Sequence, residues 1–247
     1  MGSRYTRRLG ALPQGKEMKG HDDQGNLFVG HYIEWREKRI RKMEEVMGGK
    51  EWFRDKRILE MGCGWGDIGL HFKELGANVV FCDARKEHIE KVKIRSKSVK
   101  TITHVIDQDA PWEIPQKNFD LIIHSGVLYH LYNWKLDLKS AFKHGDTMIL
   151  ETVVADNEAD NVEIKYAEPN GWDQSPHMYS LRPTAAYIEK YLTEMGYKFE
   201  RFDDGSLNAH KHKYDWKVGN HHIEGKPWSM SPNGITRRFW KVERDNQ

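Results

Sequence analysis

Ile58-Leu59-Glu60-Met61-Gly62-Cys63-Gly64-Trp65-Gly66-Asp67-Ile68-Gly69 reads as a buried strand, a tight turn and the start of a helix. An apolar run gives way to alternating glycines, and apolar residues return at helical spacing at Ile68, Leu70 and Phe72. Glycines at 62, 64 and 66 let the backbone take positive φ and approach a ligand that a Cβ would repel. A helix opening just after the turn aims unpaired N–H groups at that ligand. Val79-Val80-Phe81-Cys82 then ends in Asp83. A carboxylate at the tip of a second strand is placed to hold the two hydroxyls of a ribose.

The spacing narrows the ligand. Dinucleotide folds use G-x-G-x-x-G, with the helix N-terminus facing a pyrophosphate. Here the glycines run G-x-G-x-G, between Glu60 and Asp67. Two carboxylates flanking the turn would repel a pyrophosphate and suit a cation. At these residues the sequence resembles the class I S-adenosylmethionine-dependent methyltransferases, whose first motif is (D/E)-x-G-x-G-x-G and whose ligand carries a sulfonium and an ammonium. The resemblance implies an α/β fold, a Rossmann-like seven-stranded, mostly parallel sheet with an antiparallel last strand and helices on both faces. It also implies S-adenosyl-L-methionine as cofactor and S-adenosyl-L-homocysteine as product. A dehydrogenase would need the longer glycine spacing.

Composition sets the frame. A chain of 247 residues, 38% hydrophobic and 31% charged, suits one α/β domain, or a core with a modest appendage, with a heavily solvated surface. No run approaches the roughly 18 apolar residues of a membrane span, and the N-terminus lacks the apolar stretch of a signal peptide. The only cysteines, Cys63 and Cys82, fall in the glycine turn and at the end of the second strand, which fits a reduced, cytoplasmic setting and no zinc site. The net charge of +2 says little about partners. Locally, Arg4, Arg7, Arg8, Lys16 and Lys19 face a single acid, Glu17. That terminus is either a solvated tail or an arm that touches phosphates.

Along the chain, 32–47 patterns as an amphipathic helix closed by Gly48-Gly49. It either lies over the cofactor as a lid, through Tyr32, Trp35 and Arg36, or packs on the sheet edge. Strands are expected near 57–61, 78–82, 101–106, 118–124 and 147–154, with helices near 66–75, 86–97 and 134–144. That alternation indicates a parallel sheet. Residues 155–181 form a long polar segment without clear periodicity. Arg182-Pro183-Thr184 opens a helix to Met195, with Pro183 in its first turn. Strands at 197–202 and 235–242 follow, the last with no helix before it and hence antiparallel. The division is an N-terminal arm and lid helix over 1–50 and a methyltransferase domain over 51–247, with substrate loops at about 155–181 and 204–234. Both loops leave the carboxyl edge of the sheet, where such folds bind ligands.

The resemblance extends further. Asp109-Ala110, then Ile114-Pro115 and Phe119-Asp120, resembles the family's adenine segment, with Asp109 favoured over Asp107 as acceptor of the amino group. Ser125-Gly126-Val127-Leu128-Tyr129-His130-Leu131 is similar to a segment that follows strand four and borders the transferring methyl. The cofactor set is therefore Glu60, Gly62, Cys63, Gly64, Gly66, Asp83, Ala84, Asp109, Ala110 and Ser125. Methyl transfer is an in-line displacement, in which the protein orients and excludes water. Tyr129 and His130 are the candidates for a general base, needed only if the acceptor must lose a proton. His130 is equally read as structural, and Tyr129 chiefly as shaping the site.

His177, Tyr179 and Arg182, with His210, His212, Tyr214 and Trp216, are the candidate acceptor residues. His210, His212, His221 and His222 match no strong metal pattern, so no metal is expected. The late segments look loosely like sugar- and RNA-associated methyltransferases, including the wobble-uridine tRNA-modifying group. The expected acceptor is a small or sugar-like molecule, with a tRNA base as the alternative. A non-catalytic cofactor-binding regulator or scaffold is the reading from another class. No membrane partner is expected.

Overall fold

The computed structural model describes residues 30–97, 101–168, 175–219 and 235–245. The elements are α1 (Gly30–Val46), β1 (Arg57–Met61), α2 (Asp67–Glu74), β2 (Asn78–Asp83), α3 (Lys86–Arg95), β3 (Ile102–Val105) and β4 (Leu121–Ser125). They continue as α4 (Trp134–Ala141), β5 (Thr147–Val153), β6 (Glu163–Ala167), β7 (Tyr179–Pro183), α5 (Ala185–Glu194), β8 (Tyr197–Arg201), β9 (His212–Lys213) and β10 (Ile235–Arg244).

The main sheet runs β3-β2-β1-β4-β5-β10-β8, with the two-residue β9 added beside β10. β1 to β5 pair in parallel. β10 is antiparallel to both β5 and β8. The expected seven-strand path with a reversed last strand is therefore present, and β8 runs in the same direction as β1.

Two cores lie on the two faces, because strand side chains alternate. Leu59 and Met61 of β1 join Trp134, Leu138, Ile188 and Leu192 of α4 and α5. Ile58 faces the other way, with Met43, Phe72, Ile89 and Val92 of α1, α2 and α3. The α1 helix is thus part of a core: Ile40, Met43 and Met47 are buried there. Its earlier residues, Trp35 and Arg39, reach over the carboxyl edge of the sheet.

Two expectations change. The segment over 155–181 contains an antiparallel hairpin of β6 and β7. The exposure of β6 alternates along Glu-Ile-Lys-Tyr-Ala, too short a run inside a polar segment to show as a period. Pro183 closes β7, and the helix that follows is capped by Thr184, whose side chain accepts from Tyr187 N–H. Leu181 N–H donates to Leu131 O at 2.8 Å, which docks the hairpin on the turn after β4.

Candidate active site

The glycine turn sits between β1 and α2, and each glycine does something different. At Gly62, with φ +56°, a Cβ would stand 2.2 Å from Val127 Cγ2, so this residue lets the turns after β1 and β4 close on each other. At Gly64, with φ +54°, no protein atom lies within 4 Å of that position. The space above Gly64 is open to a ligand. Gly66 caps α2 and its N–H is taken by Cys63 O at 2.8 Å. Cys63 is buried, its N–H bound to Cys82 O at 2.9 Å, and burial pushes its thiol pKa well up.

Asp83, at the tip of β2, accepts from Gly64 N–H at 2.8 Å and from Arg85 N–H at 2.8 Å, and meets His88 Nδ1 at 3.0 Å. A carboxylate offers about four lone-pair sites, so capacity remains for a hydroxyl. Ala84, half-buried, continues this wall. The charge argument made from Glu60 and Asp67 needs correction. Asp67 is held at 2.7 Å by both Arg36 and Arg95. Glu60 is buried beneath the turn and accepts from Gly69 N–H at 3.1 Å. Burial, with Asp67 and Asp83 adding to it against the Gly69 N–H, pushes Glu60 up to about 8. Neither acid presents a bare negative charge; Glu60 fixes the turn from below.

After β3, Asp109 Oδ1 accepts from Tyr132 N–H and Asn133 N–H, both at 2.7 Å. Its Oδ2 is buried and has no protein donor. Ala110 follows, half-buried. Asp107 is engaged elsewhere: His177 Nε2 approaches its two carboxylate oxygens at 3.1 and 3.0 Å, so the turn before β7 reaches over the loop after β3. Between them opens a cleft of about 390 Å³ lined by Asp107, Asp109, Tyr132, Lys165, His177 and Tyr179. Tyr179 is exposed, with the Lys165 ammonium 4.4 Å from its ring centre.

Under the turn after β4 lies a buried polar cluster that the sequence reading did not identify. Glu151 of β5 accepts from Arg237 Nε at 2.6 Å, Arg39 Nη1 at 3.2 Å, Tyr214 OH at 2.9 Å and Ser125 Oγ at 3.2 Å. Ser125 Oγ in turn accepts from Arg39 at 2.9 Å. Burial opposes the Glu151 charge, yet Arg237 and Arg39 hold its pKa below the usual range. Two buried guanidiniums thus share one carboxylate, and both border Gly126. Arg237 lies 5.0 Å from the ring centre of Tyr129. Arg39, Glu151 and Arg237 come from three distant segments, and only the apolar setting of Thr-Arg-Arg-Phe-Trp in β10 hinted that its arginines were paired.

The late aromatic residues have a different place from the one expected. Tyr214 is fully buried, its hydroxyl accepting from Trp35 Nε1 at 2.7 Å. Trp216 is buried under the Arg238 guanidinium, 3.9 Å from its ring centre, and donates to Arg237 O. His212 is buried and stacked on Trp35 at 4.1 Å. Tyr214 and His212 fasten α1 to the β9–β10 side, while Trp216 packs on the other face of the sheet with the α4 and α5 core, so all three rings are buried. His210 is exposed, at φ +48°. Arg182 is buried, 3.6 Å from the Tyr166 ring centre and 5.6 Å from that of Tyr129. His130 Nδ1 meets buried Glu168 at 2.7 Å. His221, His222 and the basic stretch over 1–20 lie outside the described residues. Among those described, no group of three acids, histidines or cysteines is arranged to hold a metal, and no helix is long and apolar enough to cross a membrane.

The strand order, the reversed β10, the glycine turn and the acid ending β2 together define the class I methyltransferase architecture. Residues 32–201 match the family described as a methyltransferase domain, and the chain belongs to that family. Solved proteins of this fold carry S-adenosylhomocysteine or S-adenosylmethionine. Among curated proteins it is similar to the tRNA U34 carboxymethyltransferase of Pseudomonas aeruginosa, 27% identical over 186 residues, covering 71% of this chain and 53% of that one. The same enzyme of Methylococcus capsulatus is 27% identical over 201 residues, covering 76% and 57%. The chain spans about half the length of these relatives.

Among solved structures, the N-terminal domain of EvdMO1 with S-adenosylhomocysteine bound superposes with a TM-score of 0.63 at 15% identity, over 94% of this chain and 92% of that one. The Burkholderia thailandensis 1,6-didemethyltoxoflavin-N1-methyltransferase, solved with 1,6-didemethyltoxoflavin and S-adenosylhomocysteine, gives 0.52 at 14%, over 84% and 78%. At such identities the likeness is one of fold.

Proposed function

We propose that the chain transfers a methyl group from S-adenosylmethionine, by in-line displacement, to a small-molecule or sugar-like acceptor held beneath the β6–β7 hairpin. The observation that carries the cofactor placement is the buried, donor-less Oδ2 of Asp109. A buried carboxylate oxygen without a partner is costly, and an adenine amino group is the donor that suits it. The open position above Gly64, beside Asp83, fits the ribose. When bound, the cofactor supplies a methyl group already activated on sulfonium sulfur. The protein's part is to orient the acceptor and exclude water. Gly64 leaves the space above the turn open, Gly62 lets the turn meet Val127, and Glu60, Cys63 and Gly66 hold the turn's shape, while the Ala110 N–H is given to Asp107 O at 3.3 Å. Tyr129, Arg182 and the hairpin wall the acceptor side, with His177 and Tyr179 at the rim.

A second reading is favoured by one observation. The excess positive charge of Arg39 and Arg237 over Glu151 lies against Gly126, in the segment similar to the one that borders the transferring methyl in the resembled family. That charge suits a carboxylate on the transferred group or on the acceptor. The curated relatives are named for carboxymethyl transfer to tRNA U34, a group that carries such a carboxylate.

Transfer of label from methyl-labelled S-adenosylmethionine into a cell extract, with and without ribonuclease, tests both. Label in the small-molecule fraction supports the first reading. Label in a ribonuclease-sensitive large fraction replaces it with the RNA reading. Absence of label, with cofactor binding retained in calorimetry, leaves the scaffold reading and transfer of a carboxymethyl group from a different sulfonium donor.

A further inference from the structure

Glu168 follows β6 directly and is 1% exposed. It accepts from His130 Nδ1 at 2.7 Å, Ser175 N–H at 2.7 Å and Ser180 Oγ at 3.0 Å, with Arg182 Nη2 at 3.6 Å. Burial alone would raise its pKa, but His130, Ser175 and Arg182 outweigh it and hold the carboxyl below its usual range. An ionised carboxylate has no proton to give. The proton of the His130–Glu168 bond therefore sits on Nδ1, which leaves Nε2 as the ring nitrogen that exchanges a proton with a ligand.

His130 ends the turn Leu128–His130, just past the carboxyl end of β4. Its ring centre lies 3.9 Å from that of Tyr129. The charged and titratable groups around it are Glu168, Arg182 and Tyr129, with Arg237 beyond Tyr129. Burial raises the Tyr129 phenol above its ordinary pKa, against the opposing Arg237 charge, so it keeps its proton at neutral pH. Of these two rings, only the imidazole is set up to take a proton.

We propose that His130 is the general base of the transfer and Glu168 its positioning residue, so that the acceptor reacts through a hydroxyl or an N–H group. This rests on the methyl-transfer reading above. The acceptor's O–H or N–H bond breaks, its proton going to His130 Nε2 and its electron pair staying on the heteroatom. That heteroatom bonds the methyl carbon while the carbon–sulfur pair leaves with sulfur. The imidazolium, stabilised by Glu168, later returns the proton to water.

The test begins on the protein alone. Nitrogen-15 NMR of the histidine rings, with His130→Gln to assign the signal, reports which ring nitrogen carries the proton. Protonated Nδ1 with bare Nε2 is expected, and a mixture of tautomers is expected in Glu168→Gln. Bare Nδ1 in the wild type would overturn the dyad. The same variants are then assayed for incorporation of labelled methyl into the small-molecule fraction of an extract across pH. Glu168→Gln is expected to lower the rate by about 10²-fold and to leave the half-saturating concentration of S-adenosylmethionine unchanged. If Glu168→Gln does not fold, His130→Gln carries the test, because Glu168 keeps its other donors. A folded His130→Gln protein working at the wild-type rate sinks the base assignment. A wild-type protein that labels nothing refutes methyl transfer itself, while the ring tautomer still reports on the dyad.

Discussion

Arg237 of β10 and Glu151 of β5 meet across adjacent antiparallel strands, Nε to Oε1 at 2.6 Å, with both side chains shut off from solvent. In register, Glu151 pairs with Phe239, so Arg237 reaches it diagonally along the ladder. Arg39 of α1 completes the arrangement from above. One carboxylate thus joins the last strand, the fifth strand and the first helix.

Removing that carboxylate leaves two buried guanidiniums uncompensated. Glu151→Gln is expected to destabilise the protein by about 3–5 kcal/mol, read from urea unfolding. Because the native pKa of Glu151 lies below the ordinary range, its stabilisation is complete above that range and is lost as pH falls through the native value. The variant should show less loss of melting temperature in mild acid than the wild type. Equal stability at neutral pH would refute the account.

Glu60 behaves in the opposite sense. Folding raises its pKa to about 8, so between the ordinary carboxylate range and that value the folded protein holds a proton that the unfolded chain releases. Stability attributable to Glu60 therefore declines as pH rises through this window. Glu60→Gln, which keeps an acceptor for Gly69 N–H, should flatten the decline and melt higher than the wild type near pH 8. A melting profile parallel to that of the wild type would show that Glu60 is charged throughout.

The two ends of the nucleoside are separable. Asp83→Ala should weaken S-adenosylmethionine binding by about tenfold or more, the loss of a charge-assisted hydrogen bond. Calorimetry decides it, and unaltered affinity removes Asp83 from the ribose. In Asp109→Asn, the amide oxygen can still cap Tyr132 and Asn133. Its amino group then replaces Oδ2 and faces another donor. Binding should fall by a similar factor with little change in melting temperature.

Gly62 and Gly64 offer a contrast within one turn. Alanine at either costs about 1–2 kcal/mol for a left-handed backbone, but Gly62→Ala also drives a methyl into Val127. Gly62→Ala is expected to melt well below Gly64→Ala. Gly64→Ala should remain folded and lose cofactor affinity, because its methyl enters only the open space. Intact cofactor binding by Gly64→Ala would move the ligand away from that glycine.

Much of the frame was written locally in the chain. The run Ile58–Met61 breaking into glycines, the strand ending at Asp83 and the apolar β5 each declare themselves through residues that are neighbours in sequence. Period and turn chemistry act over a few residues, and they depend little on what packs nearby. The reversed β10 also followed from the chain alone, since no helical period reads between it and β8 to carry a parallel crossover.

Partnership was decided only by tertiary contact. Asp67 looked like a free acid until Arg36 and Arg95 closed on it. Tyr214 and Trp216 looked like a stacking surface, but Tyr214 is spent on Trp35 of α1 and Trp216 is buried under Arg238 in the opposite core. The hairpin was too polar to announce itself and is held by Leu131, Asp107 and the Glu168 cluster. A residue's type fixes what it can bond, whereas burial and long-range pairing fix its charge, its proton and the direction it faces. For Arg39, Glu151 and Arg237, and for His130 and Glu168, those partners lie tens of residues away, and the fold alone brings them together.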